Sequence, residues 1–218
     1  MPNLAAFLVP REENHWLSAA ASRYDPRVNG WEFLKHYIQA PTRTGAVAAS
    51  SEALADMITG RARLQDARCV VELGPGTGVF TEKILARIRP GTVFFAMEIN
   101  PTFVAATRLR CPQANVFQDS AEKTAEYLLR CNRRQCDRVI SGLPWASFDP
   151  SLQDRLLTTI LEVLEPGGLF LTFAYLQGLL LPPGLRFRRK LRRAFQKVET
   201  TPTVWKNLPP AFVYLAVR

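Results

Sequence analysis

The run Cys69-Val70-Val71-Glu72-Leu73-Gly74-Pro75-Gly76-Thr77-Gly78 most constrains what this chain can become. Five residues of buried-strand character lead directly into three glycines at alternate positions, and a helical stretch, Phe80 to Ile88, follows. Glycines at such a junction let the backbone turn tightly and approach a ligand closely. A plain strand–helix turn would also use them. The spacing sets two nucleotide sites aside. A dinucleotide fingerprint reads G-x-G-x-x-G, whereas the third glycine here comes one residue early. The lysine that a P-loop needs is missing.

The same strand-then-helix unit repeats downstream. Thr92 to Met97, Asn115 to Gln118, Arg138 to Ile140 and Leu169 to Tyr175 read as further strands. Helical stretches from Pro101 to about Arg110, Ala121 to Arg130 and Leu152 to Leu164 separate them. Such alternation predicts a parallel, doubly wound sheet. The last pair, Val198 to Val204 and Ala211 to Val217, has only the turn Leu208-Pro209-Pro210 between its strands, so an antiparallel edge is expected. Ahead of the sheet, Trp31, Phe33, Leu34, Tyr37 and Ile38 recur at helical spacing up to Pro41, and a second helix starts at Ser50-Ser51-Glu52.

Two carboxylates fall where the loop would need them. Glu98 closes the second strand, 22 residues beyond Gly76, and could accept both hydroxyls of a ribose. Asp119 follows the third strand, where a carboxylate could accept from an adenine amino group. Each alone could be a helix N-cap. Together with the glycine loop they mark a ligand site outside the carboxyl ends of the strands.

Composition excludes other classes. With 218 residues, 47% hydrophobic and 22% charged, the chain is neither disordered nor in need of staples. The four cysteines (Cys69, Cys111, Cys131, Cys136) have no CxxC spacing and only His15 and His36 accompany them, so reduced thiols and no metal site are expected. The opening run Leu4 to Pro10 lacks a basic leader, and the greasiest stretch, Gly167 to Pro182, is short and interrupted. Neither a secretory signal nor a membrane span is expected. The net charge of +9 favours a polyanionic partner without choosing between nucleic acid and an anionic membrane.

The pattern Glu72-x-Gly74-x-Gly76-x-Gly78, with Glu98, Asp119 and the Leu164-Glu165-Pro166-Gly167-Gly168 turn, resembles the class I S-adenosylmethionine (SAM) methyltransferases over roughly residues 45–218. That resemblance implies a Rossmann-like α/β fold with a seven-stranded sheet of order 3-2-1-4-5-7-6, strand 7 antiparallel. Residues 1–60 are then an N-terminal helical extension, a membrane-contacting lid, and residues 61–218 the methyltransferase domain. Four segments sharpen the likeness: Thr42 to Ser51, Val70 to Thr81, Ser141-Gly142-Leu143-Pro144-Trp145, and Val204-Trp205-Lys206-Asn207-Leu208-Pro209-Pro210-Ala211-Phe212-Val213-Tyr214. They resemble the bacterial phospholipid N-methyltransferases, with Ala49 where that pattern has proline. The family implies methylation of the ethanolamine headgroup of phosphatidylethanolamine towards phosphatidylcholine, with SAM consumed and S-adenosylhomocysteine released. It implies cofactor contacts from Thr44, Gly45, Ser50, Glu72, Gly74, Gly76, Thr77, Gly78, Glu98, Ile99, Asp119, Ser120, Ala121, Ser141 and Leu143. A monomeric, cytoplasmic protein, peripheral on the inner membrane face, is expected.

Tyr175 and Trp145, after strands five and four, are the expected substrate-side aromatics, since aromatic faces hold methylated ammonium. Trp145 could instead be an apolar plug. Tyr37 and His36 are candidates to close the site from the N-terminal helix. The run Arg186 to Lys197 has seven basic residues, no acid, and Phe187, Leu191, Ala194, Phe195 and Val198 at apolar positions. It is either a membrane-docking segment or a solvated helix with an ordinary core stripe. Leu4, Phe7, Leu8, Trp16, Trp31, Phe33 and Tyr37 could add interfacial anchoring.

Two rivals remain. RNA adenine N6-methyltransferases share a similar loop, but their fourth motif begins with an asparagine where this chain has Gly142, with Ser141 a partial substitute. A non-enzymatic membrane-binding protein would need no intact Gly74, Gly76, Gly78, Glu98 and Asp119 set.

Overall fold

A computed structural model describes residues 51–218. The expectations placed on Thr44, Gly45, Ser50, His36, Tyr37 and the N-terminal apolar residues lie outside the described part.

Seven strands form one sheet in the order β3-β2-β1-β4-β5-β7-β6. They are β1 (Cys69–Leu73), β2 (Val93–Glu98), β3 (Val116–Gln118), β4 (Cys136–Ser141), β5 (Leu164–Tyr175), β6 (Lys197–Thr200) and β7 (Ala211–Val217). The first five pair in parallel, and β7 runs antiparallel to both β5 and β6. Every residue of β1 is buried, as a strand covered on both faces requires. One face packs on α1 (Glu52–Arg61), α2 (Val79–Leu85) and α3 (Pro101–Arg110) through Leu54, Ile58, Phe80, Ile84 and Val104. The other packs on α4 (Thr124–Arg130), α5 (Pro150–Val163) and α6 (Pro182–Ala194) through Tyr127, Leu128, Leu157, Ile160, Phe187 and Leu191.

The helix starts follow local chemistry. Ser51, Asn100 and Asp149 cap α1, α3 and α5 with side-chain acceptors, and Pro101 and Pro150 occupy first-turn positions where no N–H is needed. In α5, Leu156, Leu157, Ile160 and Val163 lie on one buried stripe, set by the i, i+3, i+4 spacing.

Three expectations are corrected, and one open alternative is decided. Helix α1, assigned by sequence to the extension ending at residue 60, buries Leu54, Ala55 and Ile58 completely against the sheet and is part of its core. The helix expected from Ala121 begins as a single tight turn, Ala121–Lys123, and becomes α-helical at Thr124. The Glu165-Pro166-Gly167-Gly168 turn lies inside β5. Pairing starts at Leu164 with Cys136, skips over the turn and resumes at Leu169 with Arg138, while Gly167 N–H donates to the Arg218 carbonyl at 2.8 Å. Finally, the apolar stripe of the basic segment is core. Phe187 and Leu191 of α6 are buried, Phe195 ends the helix against Phe170, and Lys197 and Val198 belong to β6.

Candidate active site

All carboxyl ends of the five parallel strands lie at one edge of the sheet, and the expected site residues gather there. Glu72 is the penultimate residue of β1, and Gly74, Gly76, Thr77 and Gly78 follow it; Glu98 ends β2 and Ile99 follows; Asp119, Ser120 and Ala121 follow β3; Ser141 ends β4 and Leu143 lies just beyond; and Tyr175 ends β5. The register fixes this alignment, because Glu98 pairs with Gln118 and Leu73 pairs with both Met97 and Ser141.

The glycine loop is pinned from both sides. Gly74 N–H donates to the Met97 carbonyl at 2.9 Å, and Gly142 N–H donates to the Leu73 carbonyl at 2.8 Å. Thr107 of α3, fully buried, donates its hydroxyl to the Gly76 carbonyl at 2.8 Å. Gly76 has φ +60°, and a Cβ there would meet no atom within 4 Å. Its Cα therefore faces open space at the carboxyl edge, where a ligand can come against the backbone. Gly142 is glycine for the opposite reason. A Cβ would lie 2.4 Å from the Gly74 carbonyl oxygen, so no side chain fits.

The carboxylates differ in environment. Glu72 is completely buried, with Thr81 donating to its Oε2 at 2.7 Å. Among the described residues its Oε1 has no partner. Burial, with a smaller contribution from the nearby Glu98 charge, pushes its pKa up to about 8. Glu98 accepts from Asn100 N–H at 2.9 Å and from Gly76 N–H at 3.3 Å. Burial raises its pKa and those backbone donors oppose the rise. Each of its oxygens receives one backbone donor, leaving room for a second. Asp119 accepts from Ser120 N–H at 2.7 Å, Lys123 at 3.1 Å and the Tyr127 hydroxyl at 3.0 Å. Those donors, Ser120 N–H first, hold its pKa below the usual carboxylate range. Ser120 caps the turn beginning at Ala121, and Ile99 stands 57% exposed beside Glu98.

Two expected site residues do something else. Trp145 is 2% exposed, stacked on Phe187 with ring centres 4.8 Å apart and edge-on to Phe148 and Phe170. Both of its faces belong to the core beneath α6, so it is the apolar plug and not an ammonium platform. Ser141 is also fully buried, and its hydroxyl accepts from Trp145 Nε1 at 3.1 Å, so that side chain anchors the plug instead of facing a ligand. Tyr175 is half-buried and edge-on to Phe173 at 5.5 Å. Three positioning groups carried no expected role: Thr81, Thr107 and Asn207. Asn207 is buried; its Oδ1 accepts from Ser51 N–H at 3.0 Å and its Nδ2 donates to the Pro209 carbonyl at 2.7 Å. It ties the 204–210 loop to the residue that caps α1.

A family model described as a methyltransferase domain matches residues 70–168. The chain is 32% identical over 185 residues to an ornithine lipid N-methyltransferase of Singulisphaera acidiphila, covering 84% of this chain and 92% of that protein. The chain is a class I SAM-dependent methyltransferase. Solved structures agree on the fold. An O-methyltransferase from Bacillus cereus in complex with S-adenosylhomocysteine superposes with a TM-score of 0.63 at 14% identity, covering 93% of this chain and 96% of that one. TomG from Streptomyces achromogenes, an O-methyltransferase in complex with SAM, gives 0.61 at 17% identity, covering 93% and 95%.

SAM is therefore the methyl donor of this methyltransferase, and the residues present fit it. The open face at Gly76 admits a close ligand, Glu98 has acceptor capacity for a diol, and the unpartnered Oε1 of Glu72 is a buried acceptor suited to a cationic group. Among the described residues no group of three His, Cys, Asp or Glu could hold a metal ion. Burial raises the pKa of Cys69 to about 12 and also raises those of Cys111 and Cys136, so these thiols stay protonated at neutral pH.

Proposed function

We propose that this methyltransferase acts on the primary amine of a membrane aminolipid, at the surface of the bilayer. The observation that carries the reading is the 32% identity, over nearly the whole of both chains, to a protein named for N-methylation of an ornithine lipid. Phosphatidylethanolamine is the substrate the four sequence segments imply. It shares with ornithine lipid a primary amine on a lipid headgroup.

The surface near Tyr175 supports contact with lipid. Leu176 N–H donates to the Pro210 carbonyl at 2.8 Å, which joins the turn after β5 to the loop before β7. On these two segments Leu180 is 84% exposed, and Trp205 and Leu208 are each 69% exposed. Apolar side chains of this size, held at one edge and close to a basic helix, suit an interface between water and acyl chains. Among the described residues no helix is long and apolar enough to cross a membrane.

SAM supplies a methyl group already activated on a sulfonium. The protein's work is then alignment, since in-line displacement needs the reacting atoms collinear and ~3 Å apart. Glu98 and the backbone at Gly76 would hold the sugar end, Asp119 the purine, and Glu72 would offer charge to the donor's cationic end. The lipid amine, with an ordinary pKa of ~10, must lose a proton before attack, and an apolar cleft favours its neutral form. Tyr175 would hold the methylated ammonium by its ring face. Gly142 speaks against the RNA adenine alternative, because the space for an amide side chain is filled by the Gly74 carbonyl.

The deciding experiment incubates the protein with methyl-labelled SAM and one of three acceptors: liposomes containing phosphatidylethanolamine, liposomes containing ornithine lipid, or ribosomal RNA. Label in either lipid amine supports the reading and names the substrate. Label in RNA alone, or in none of the three, refutes it.

A further inference from the structure

A second polar cleft lies far from the glycine loop. Helix α6 carries Arg186, Arg188, Arg189, Lys190, Arg192 and Arg193 and no acid. Lys190 is matched by Asp154 at 2.6 Å. None of the five arginines has a carboxylate partner among the described residues. Arg188 and Arg192, one helical turn apart, line a cavity of about 320 Å³ together with Val198, Glu199, Thr200 and Tyr214. The cavity lies between α6 and the β6–β7 hairpin, four strands across the sheet from β1.

The chemistry of the lining is one-sided. Arg188 and Arg192 line the space, and among the described residues neither guanidinium has a hydrogen-bond acceptor or carboxylate partner. The Tyr214 hydroxyl makes no hydrogen bond among the described residues, and burial raises its pKa against the opposing pull of Arg188 and Arg192, so it remains an O–H donor at neutral pH. Thr200 adds a further hydroxyl. The single acid, Glu199, is paired with Lys197 at 2.6 Å, so its charge is already balanced. Guanidinium donors form planar forks suited to oxyanions, and a phosphate offers more acceptor oxygens to such a donor set than a carboxylate does. A cavity of this volume falls at the small end of ligand pockets, which suits a headgroup-sized anion.

We infer that the cleft between α6 and the β6–β7 hairpin is a binding site for a phosphate group, held by Arg188 and Arg192 with the Tyr214 hydroxyl as a third donor. The phosphate of an anionic phospholipid headgroup and free phosphate share this chemistry. The inference is independent of the aminolipid substrate, because the cleft holds none of the residues at the carboxyl edge.

The test titrates the full chain by calorimetry with inorganic phosphate and, separately, with short-chain phosphatidylglycerol below its micelle-forming concentration. Saturable one-to-one binding is expected. Arg188→Gln/Arg192→Gln should weaken it by at least about tenfold, and Tyr214→Phe by severalfold. Arg186→Gln/Arg193→Gln removes the same charge outside the cleft and should change binding by no more than about twofold, the surface contribution of exposed charges in moderate salt. Arg188→Lys/Arg192→Lys keeps the charge without the fork and should bind at an intermediate level. SAM affinity, measured on each variant, should match that of the parent and shows that the fold is intact. Saturation by phosphatidylglycerol alone assigns the lipid headgroup; equal saturation by inorganic phosphate assigns the free anion. Failure of both to saturate, or equal losses in the two glutamine double variants, overturns the site.

Discussion

Glu72 gives the sharpest test, because a fully buried carboxyl with one unpartnered oxygen links stability to pH. Its pKa rises from 4.5 to about 8, chiefly through burial. The folded state thus holds the proton more tightly than the unfolded chain. The stabilisation this brings is complete below about pH 4.5 and is lost as pH rises through about 8. A shift from 4.5 to about 8 corresponds to about 5 kcal/mol in total, at up to about 1.4 kcal/mol per pH unit. Glu72→Gln is close in shape to the neutral acid, keeps an oxygen to accept from Thr81, and cannot ionise. Urea unfolding of both proteins at pH 5, 6, 7, 8 and 9 should show similar stabilities at pH 5. The parent should then fall progressively below the variant, by several kcal/mol at pH 9. SAM binding supplies a second readout. A cationic group near Glu72 favours the carboxylate, so the parent's affinity for SAM should rise from pH 6 to 8 while that of Glu72→Gln stays flat over the same range. A stability difference that does not change with pH would refute the assignment of a buried neutral acid at this position.

Three further perturbations follow from the geometry. Gly142→Ala forces a Cβ to 2.4 Å from the Gly74 carbonyl oxygen, a backbone atom that cannot swing aside as a side chain would, and should cost about 1–3 kcal/mol in thermal or urea unfolding and weaken SAM binding with it; parental stability would show that the two loops are free to part. Asn207→Ala leaves Ser51 N–H and the Pro209 carbonyl without their partner and should cost about 1–3 kcal/mol, read by urea unfolding. Tyr175→Ala should lower turnover on lipid while SAM affinity by calorimetry stays at the parent's value, and unchanged turnover would remove Tyr175 from the substrate side.

The sequence by itself determined the architecture and which residues stand at the carboxyl ends of β1, β2 and β3. Strand and helix periods, the Pro101 start, and the placing of Glu98 and Asp119 after short apolar runs are local signals, and each survives in the fold. A parallel sheet with helical crossovers then brings those strand ends to one edge wherever the intervening loops go. Only the tertiary structure decided what depends on contacts across the chain. Ser141 ends β4 and Trp145 follows it, but whether a side chain there meets a ligand or the core depends on Phe187 arriving from α6, 42 residues after Trp145. The basic segment reads as amphipathic in either setting, and its apolar stripe became core because the sheet offered Phe170 and Tyr214 to cover it. The same docking turned Arg188 and Arg192 towards the β6–β7 hairpin, a convergence that no spacing in the sequence encodes. Asn207 and Ser51 meet across 156 residues for the same reason: local periodicity reports which way a side chain faces on its own element, and only packing supplies the neighbour it faces.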